Sequence, residues 1–221
     1  MHLIHAIYEP QGGGLHPTIL TLHGRGANAL DLLGLAPYLC DGKFLLICPQ
    51  GPLETPIGAG VTGYAWYPMT SGGPPDVAAI LSARQKLHEF LVECFARYPI
   101  DPKKLVILGF SQGGVMAHAL GLQSPERFAA LVAMSSWLPQ EVFDQPFSPA
   151  VETLPTLVHH GSRDELINVD RAHRSVEKLR EWRVPVTYRE YDMGHEITQK
   201  SLNDLSAWLE EKVISSMEVA R

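Results

Sequence analysis

No run of lysines or arginines occurs in this chain, where 18 basic residues face 24 acidic ones for a formal net charge of -6. Nucleic-acid binding needs a basic footprint to neutralise phosphates, so no nucleic acid is expected as a partner and a small-molecule substrate fits better. Cysteine is scarce too. Cys40, Cys48 and Cys94 form no C-x-x-C pair and are odd in number, which argues for free thiols and against a disulfide framework or a metal centre. Nowhere do about 18 consecutive apolar residues occur, so no transmembrane helix is expected. Met1-His2-Leu3-Ile4-His5 has neither the charged and long apolar regions of a signal peptide nor the Met-Gly start of a myristoylation site. The expectation is a cytoplasmic protein without a stable membrane anchor.

Apolar residues make up 45% of the 221, enough for one sizeable core, and residues 1–221 read as one domain. Short β-rich runs occur at 18–22, 43–48, 105–109, 130–135, 156–160 and 186–191, most of them apolar enough for strands covered on both faces. Helical spacing separates them. The clearest helix starts near Asp76 and carries Val77, Ile80, Leu81, Leu87, Leu91 and Cys94 to a stop at Pro99. Others are expected over 29–39, 112–122, 169–182 and 198–214. Such alternation predicts an α/β fold with a mostly parallel sheet and helices on both faces. The Gly- and Pro-rich stretch 49–75 is left as one long connection, and its Trp66 reads either as a pin for the loop or as a wall of a substrate site.

Gly109-Phe110-Ser111-Gln112-Gly113 directly follows the apolar run Leu105 to Leu108. A G-x-S-x-G pentapeptide between a strand and a helix puts its serine on a cramped turn with the hydroxyl exposed above the sheet, which makes Ser111 a candidate nucleophile. Its partners should come later, on loops after strands, in the order acid then histidine. Asp164 follows the strand 156–160 and His195 follows the strand 186–191. Both leave the carboxyl edge of the sheet, where open α/β sheets build their sites. Glu165, Asp170 and Asp192 compete for the acid role, but only Asp164 lies one short turn past its strand. For the oxyanion, the loop His23-Gly24-Arg25-Gly26 after the first strong strand would lend the N–H of Arg25, and the residue after the serine would lend that of Gln112. His159 and His160 are poor metal ligands together, since adjacent strand residues point to opposite faces.

These blocks, with Ser136-Trp137-Leu138-Pro139, His160-Gly161-Ser162-Arg163-Asp164 and Gly194-His195, resemble those of the phospholipase/carboxylesterase family, which includes acyl-protein thioesterases and small bacterial carboxylesterases. The resemblance implies an α/β-hydrolase fold with little or no cap domain, a Ser111–His195–Asp164 triad, an oxyanion hole from Arg25 and Gln112, and no cofactor or metal. Trp66 and Trp137 are the candidate substrate-binding residues. Related enzymes can dimerise, so a homodimer is compatible, though the sequence locates no interface. Arg25 stands where the family usually has an aliphatic residue, and the segment 136–154 is too short for a large lid. Both tilt the expectation towards short- to medium-chain carboxylic esters. An acyl-thioesterase, lysophospholipase or lactonase with a dedicated substrate uses the same triad, and a non-catalytic binding module is the alternative from another class.

Overall fold

Seven strands form one sheet, and six of them run parallel. The computed structural model describes residues 3–69, 74–143 and 148–215. In chain order the strands are β1 (His5–Tyr8), β2 (His16–Leu22), β3 (Leu45–Pro49), the hairpin strands β4 (Leu53–Gly58) and β5 (Val61–Ala65), β6 (Ile100–Phe110), β7 (Ala130–Met134), β8 (Thr156–Gly161) and β9 (Val186–Tyr191). Spatially the sheet runs β1-β3-β2-β6-β7-β8-β9, with β1 antiparallel to β3 at one edge. The order reverses between β2 and β6, and β6 leads to the candidate serine.

The core follows from period-2 alternation in strands that are covered on both faces. Leu20, Leu22, Leu105 and Ile107 point into one cluster, while Ile19, Val106 and Leu108 point into the other. The first cluster is capped by α1 (Val77–Arg97), α2 (Gln112–Gly121) and α3 (Val169–Glu181). The second is capped by α4 (Gln199–Leu209), through Leu202, Leu205 and Trp208. In α1, Ile80, Ala83, Leu87, Phe90, Leu91 and Cys94 are buried at helical spacing. The Asp76 side chain accepts from the Ala79 N–H at 2.9 Å, satisfying one orphan donor of the first turn.

Three expectations change. The segment 29–39 is not an α-helix but the 3₁₀ turns Leu33–Tyr38 and Cys40–Gly42, because Pro37 lacks an N–H to donate and Gly34 weakens the run. The stretch 49–75 contains the β4–β5 hairpin; its residues 70–73 lie outside those described. The last helix ends at Leu209 and gives way to a π-turn over Glu210–Ile214. No helix among the described residues is long and apolar enough to cross a membrane.

Candidate active site

Ser111 occupies the one-residue turn between β6 and α2 at φ 55°, ψ -120°, a conformation that glycine adopts freely and other residues hold only under compensation, at about 1–3 kcal/mol. The compensation is close packing. A Cβ on Gly109 would collide with the Gly113 carbonyl, and one on Gly113 would collide with the Leu22 carbonyl. The turn is then fastened: the Ser111 N–H donates to the Met134 carbonyl at 2.9 Å, and the Ser111 carbonyl accepts from the Gly114 N–H at 2.9 Å and from Ser136 Oγ at 2.9 Å.

Asp164 is buried and spends both oxygens. Its Oδ1 accepts from the N–H groups of Leu166 and Ile167 at 2.9 and 2.8 Å, and its Oδ2 accepts from His195 Nδ1 at 2.8 Å. A carboxylate only accepts, so the proton of neutral His195 sits on Nδ1 and Nε2 is left with its lone pair. The loop that carries His195 lies against β8 backbone to backbone. Ser162 N–H donates to Tyr191 O at 2.8 Å and Arg163 N–H to Met193 O at 3.1 Å, an approach that a Cβ on Gly161 would block. His160 donates from Nε2 to the Ile167 carbonyl at 2.7 Å, and burial lowers its pKa. It is a neutral brace for the acid loop. Two of the competing acids are engaged elsewhere, Asp192 with Arg163 at 2.6 Å on the surface and Asp170 near His173.

The loop after β2 reaches the serine from the other side. A Cβ on Gly24 would stand 3.4 Å from that of Ser111. The backbone N–H groups of Arg25 and Gln112 have no hydrogen-bond partner among the described residues, and both residues line the same cavity as Ser111 and His195. The β4–β5 hairpin splints this loop: Gly26 N–H donates to Tyr64 O and Tyr64 N–H to Ala27 O, each at 2.8 Å. His23 adds a second splint. Its Nε2 accepts from the Gly51 N–H at 2.9 Å, which leaves Nδ1 protonated and donating to Gly24 O at 2.7 Å, and burial lowers its pKa.

The description "Phospholipase/Carboxylesterase" belongs to a family model that matches residues 5–213. The chain belongs to the phospholipase/carboxylesterase family. A probable carboxylesterase, SOBER1-like, of Arabidopsis thaliana is 27% identical over 211 residues, covering 90% of this chain and 79% of that protein. An acyl-protein thioesterase 1 of Gibberella zeae is 26% identical over 215 residues, covering 89% and 90%. In fold, the chain is similar to the crystal structure of esterase PE8, with a TM-score of 0.82 at 24% identity over 96% of this chain and all of that one.

In this member of the phospholipase/carboxylesterase family the cavity above Ser111 measures about 430 Å³ and is walled by Gly24, Arg25, Ala27, Asp31, Tyr67, Met69, Phe110, Gln112, Trp137, Leu166, Ile167, Arg171 and His195. Trp137 therefore lies in the wall of the cavity that holds Ser111 and His195. Trp66 does not. It is buried beneath the cavity, where its Nε1–H donates to the His23 carbonyl at 2.8 Å and its ring lies 5.2 Å from that of His23. The correction has a simple cause, since the residue that lines the cavity here is its neighbour Tyr67, itself buried. Two residues escape a reading by motif. The Gln112 side chain clamps the loop, accepting from Trp66 N–H and donating to Tyr67 O, both at 2.8 Å. Arg171 enters the wall from the first turn of α3. Its place after the carboxyl end of β8 is the signal that could have found it.

Proposed function

We propose that this chain is a serine carboxylesterase that hydrolyses short- to medium-chain carboxylic esters through an acyl-enzyme. The observation that carries the reading is the 2.8 Å contact between His195 Nδ1 and Asp164 Oδ2, made by a histidine that shares its cavity with a serine on a strained turn. As Ser111 Oγ attacks the ester carbonyl carbon, its proton passes to His195 Nε2. Asp164 holds the tautomer and stabilises the imidazolium without taking the proton. The carbonyl oxygen becomes an oxyanion facing the N–H groups of Arg25 and Gln112; loss of one such donor typically costs about 10²- to 10³-fold in rate. Collapse expels the alcohol, which takes the proton from Nε2. Water then repeats the cycle on the acyl-enzyme and releases the acid.

Acyl-thioester hydrolysis is the second reading, favoured by the acyl-protein thioesterase that matches 90% of its own length here. The cavity size and the cationic Arg25 support the shorter acyl chains. We propose the cytoplasm as the setting, because Cys40, Cys48 and Cys94 are free and buried, as thiols are in a reducing compartment. The test is a 4-nitrophenyl ester series from two to sixteen acyl carbons, run on wild type and on Ser111→Ala. Turnover should peak at short chains and fall by at least about 10³-fold in the variant. A variant that retains wild-type turnover overturns the serine assignment, and a rate that climbs towards palmitate overturns the short-chain preference.

A further inference from the structure

The geometry points to a substrate that carries a carboxylate a short distance from its scissile bond, received by the guanidinium of Arg171; this rests on the hydrolase reading above. An unpaired arginine on open surface would mean nothing, but Arg171 is placed differently. It follows the cap residue Asn168 in the first turn of α3, at the carboxyl edge of the sheet, and lines the cavity that holds Ser111 and His195. Its guanidinium carbon lies 4.2 Å above the Trp137 ring. Stacking on an aromatic face fixes the plane of the group while leaving its N–H edge free to donate.

No described residue uses that edge. Among the described residues the guanidinium makes no hydrogen bond and no ion pair, whereas Arg163, Arg183 and Arg189 each reach a carboxylate. The residue as a whole is exposed at the rim, yet burial of the charged end is the largest influence on its pKa and lowers it. Glu141 and Tyr67 offset that effect and Arg174 adds to it. Asp76 borders the adjoining hollow with Arg171, but its Oδ1 already accepts from Ala79 N–H. A plain alkyl ester has no group to satisfy such a donor.

The charges on the wall say which anion. Arg25 and Arg171 are its cations and Asp31 its one carboxylate among the described lining residues, so the excess is a single positive charge. That matches a monoanion. A planar guanidinium fork takes a carboxylate in bidentate fashion. The substrate class is then a half-ester of a dicarboxylic acid, or the corresponding half-thioester.

The test compares 4-nitrophenyl hydrogen adipate with methyl 4-nitrophenyl adipate, two esters with one leaving group and one chain that differ by the terminal charge. Wild type should prefer the acid in kcat/KM by about tenfold, chiefly through KM, and the preference should shrink as salt is raised. Arg171→Met should bring the ratio close to one and Arg171→Lys should restore part of it. A wild-type ratio of one or less, or a ratio unchanged in Arg171→Met, overturns the inference. If wild type hydrolyses neither ester, the hydrolase reading fails by itself. Calorimetry with monomethyl adipate then decides the anion site: saturable binding that disappears in Arg171→Met supports it, and its absence in wild type overturns it.

Discussion

Gln112 holds Trp66 by its backbone: the side-chain Oε1 accepts from the Trp66 N–H at 2.8 Å while Nε2 donates to the Tyr67 carbonyl at 2.8 Å. In the proposed mechanism the residue whose own N–H faces the developing oxyanion is thereby tied through its side chain to the floor of the cavity. Backbone donor and side-chain clamp are two uses of one position.

Gln112→Met keeps the backbone N–H and most of the volume but strands a buried donor and a buried acceptor. The expected cost is about 2–3 kcal/mol, which lowers Tm by roughly 4–12 °C for a chain of this size. As the cavity floor relaxes, kcat should fall by about tenfold, with KM moving less. Thermal melts and steady-state kinetics check this together, and a variant that matches wild type in both removes the clamp from the account.

Ser111→Ala and Ser111→Gly both delete the proposed nucleophile, yet they should differ in stability. Alanine keeps the Cβ that is strained at φ 55°, ψ -120°, and glycine relieves it. Strain relief of about 1–3 kcal/mol outweighs the 0.5–1 kcal/mol or so that glycine loses in chain entropy. The glycine variant should melt a few degrees above the alanine variant. Equal melting temperatures would mean that the turn stores no strain.

Acid should destabilise the fold through two buried histidines. Burial pulls His118 and His159 each down to about 4. The ring nitrogens of His118 lie beside the backbone of Trp137 and Gly114 but make no well-formed hydrogen bond among the described residues. Because the unfolded chain takes up these protons near 6.5 and the folded one only near 4, the stability is fully present above 6.5 and drains as pH falls between those values. The slope is about 1.4 kcal/mol per pH unit for each ring. Chemical denaturation of wild type and His118→Leu from pH 7 to 4.5 should show a shallower loss in the variant; parallel curves would clear His118 of the effect.

Much of this molecule is legible in one sequence, and the reasons differ by element. The strands that lead to Ser111 and Asp164 are central and buried on both faces, so their apolar runs stand out, and the glycines beside them mark where backbones nearly touch, whereas β9, which leads to His195, is a partly buried edge strand. The β4–β5 hairpin is harder. Its strands are largely exposed, Pro56 interrupts the alternation, and the reason they form is the ladder from Tyr64 to Gly26 and Ala27, a contact distant in sequence. Trp66 illustrates a limit of another kind: a loop tryptophan beside a tyrosine carries no mark of which ring lines the cavity. Strand β1 is four residues long and only half-buried, too short for a periodic signal.

The margins of the sheet constrain assembly. One margin is the four-residue antiparallel β1, and the other is β9, whose outer half carries Arg189, bound to Asp204 at 3.0 Å, and Glu190, held by His173 at 2.7 Å and Tyr188 at 2.8 Å. Short strands and edge charges discourage the addition of a foreign strand. Two copies of this chain therefore cannot readily share a continuous sheet, and any pairing of molecules has to be built on helices and loops, which also leaves aggregation by strand addition disfavoured at either side.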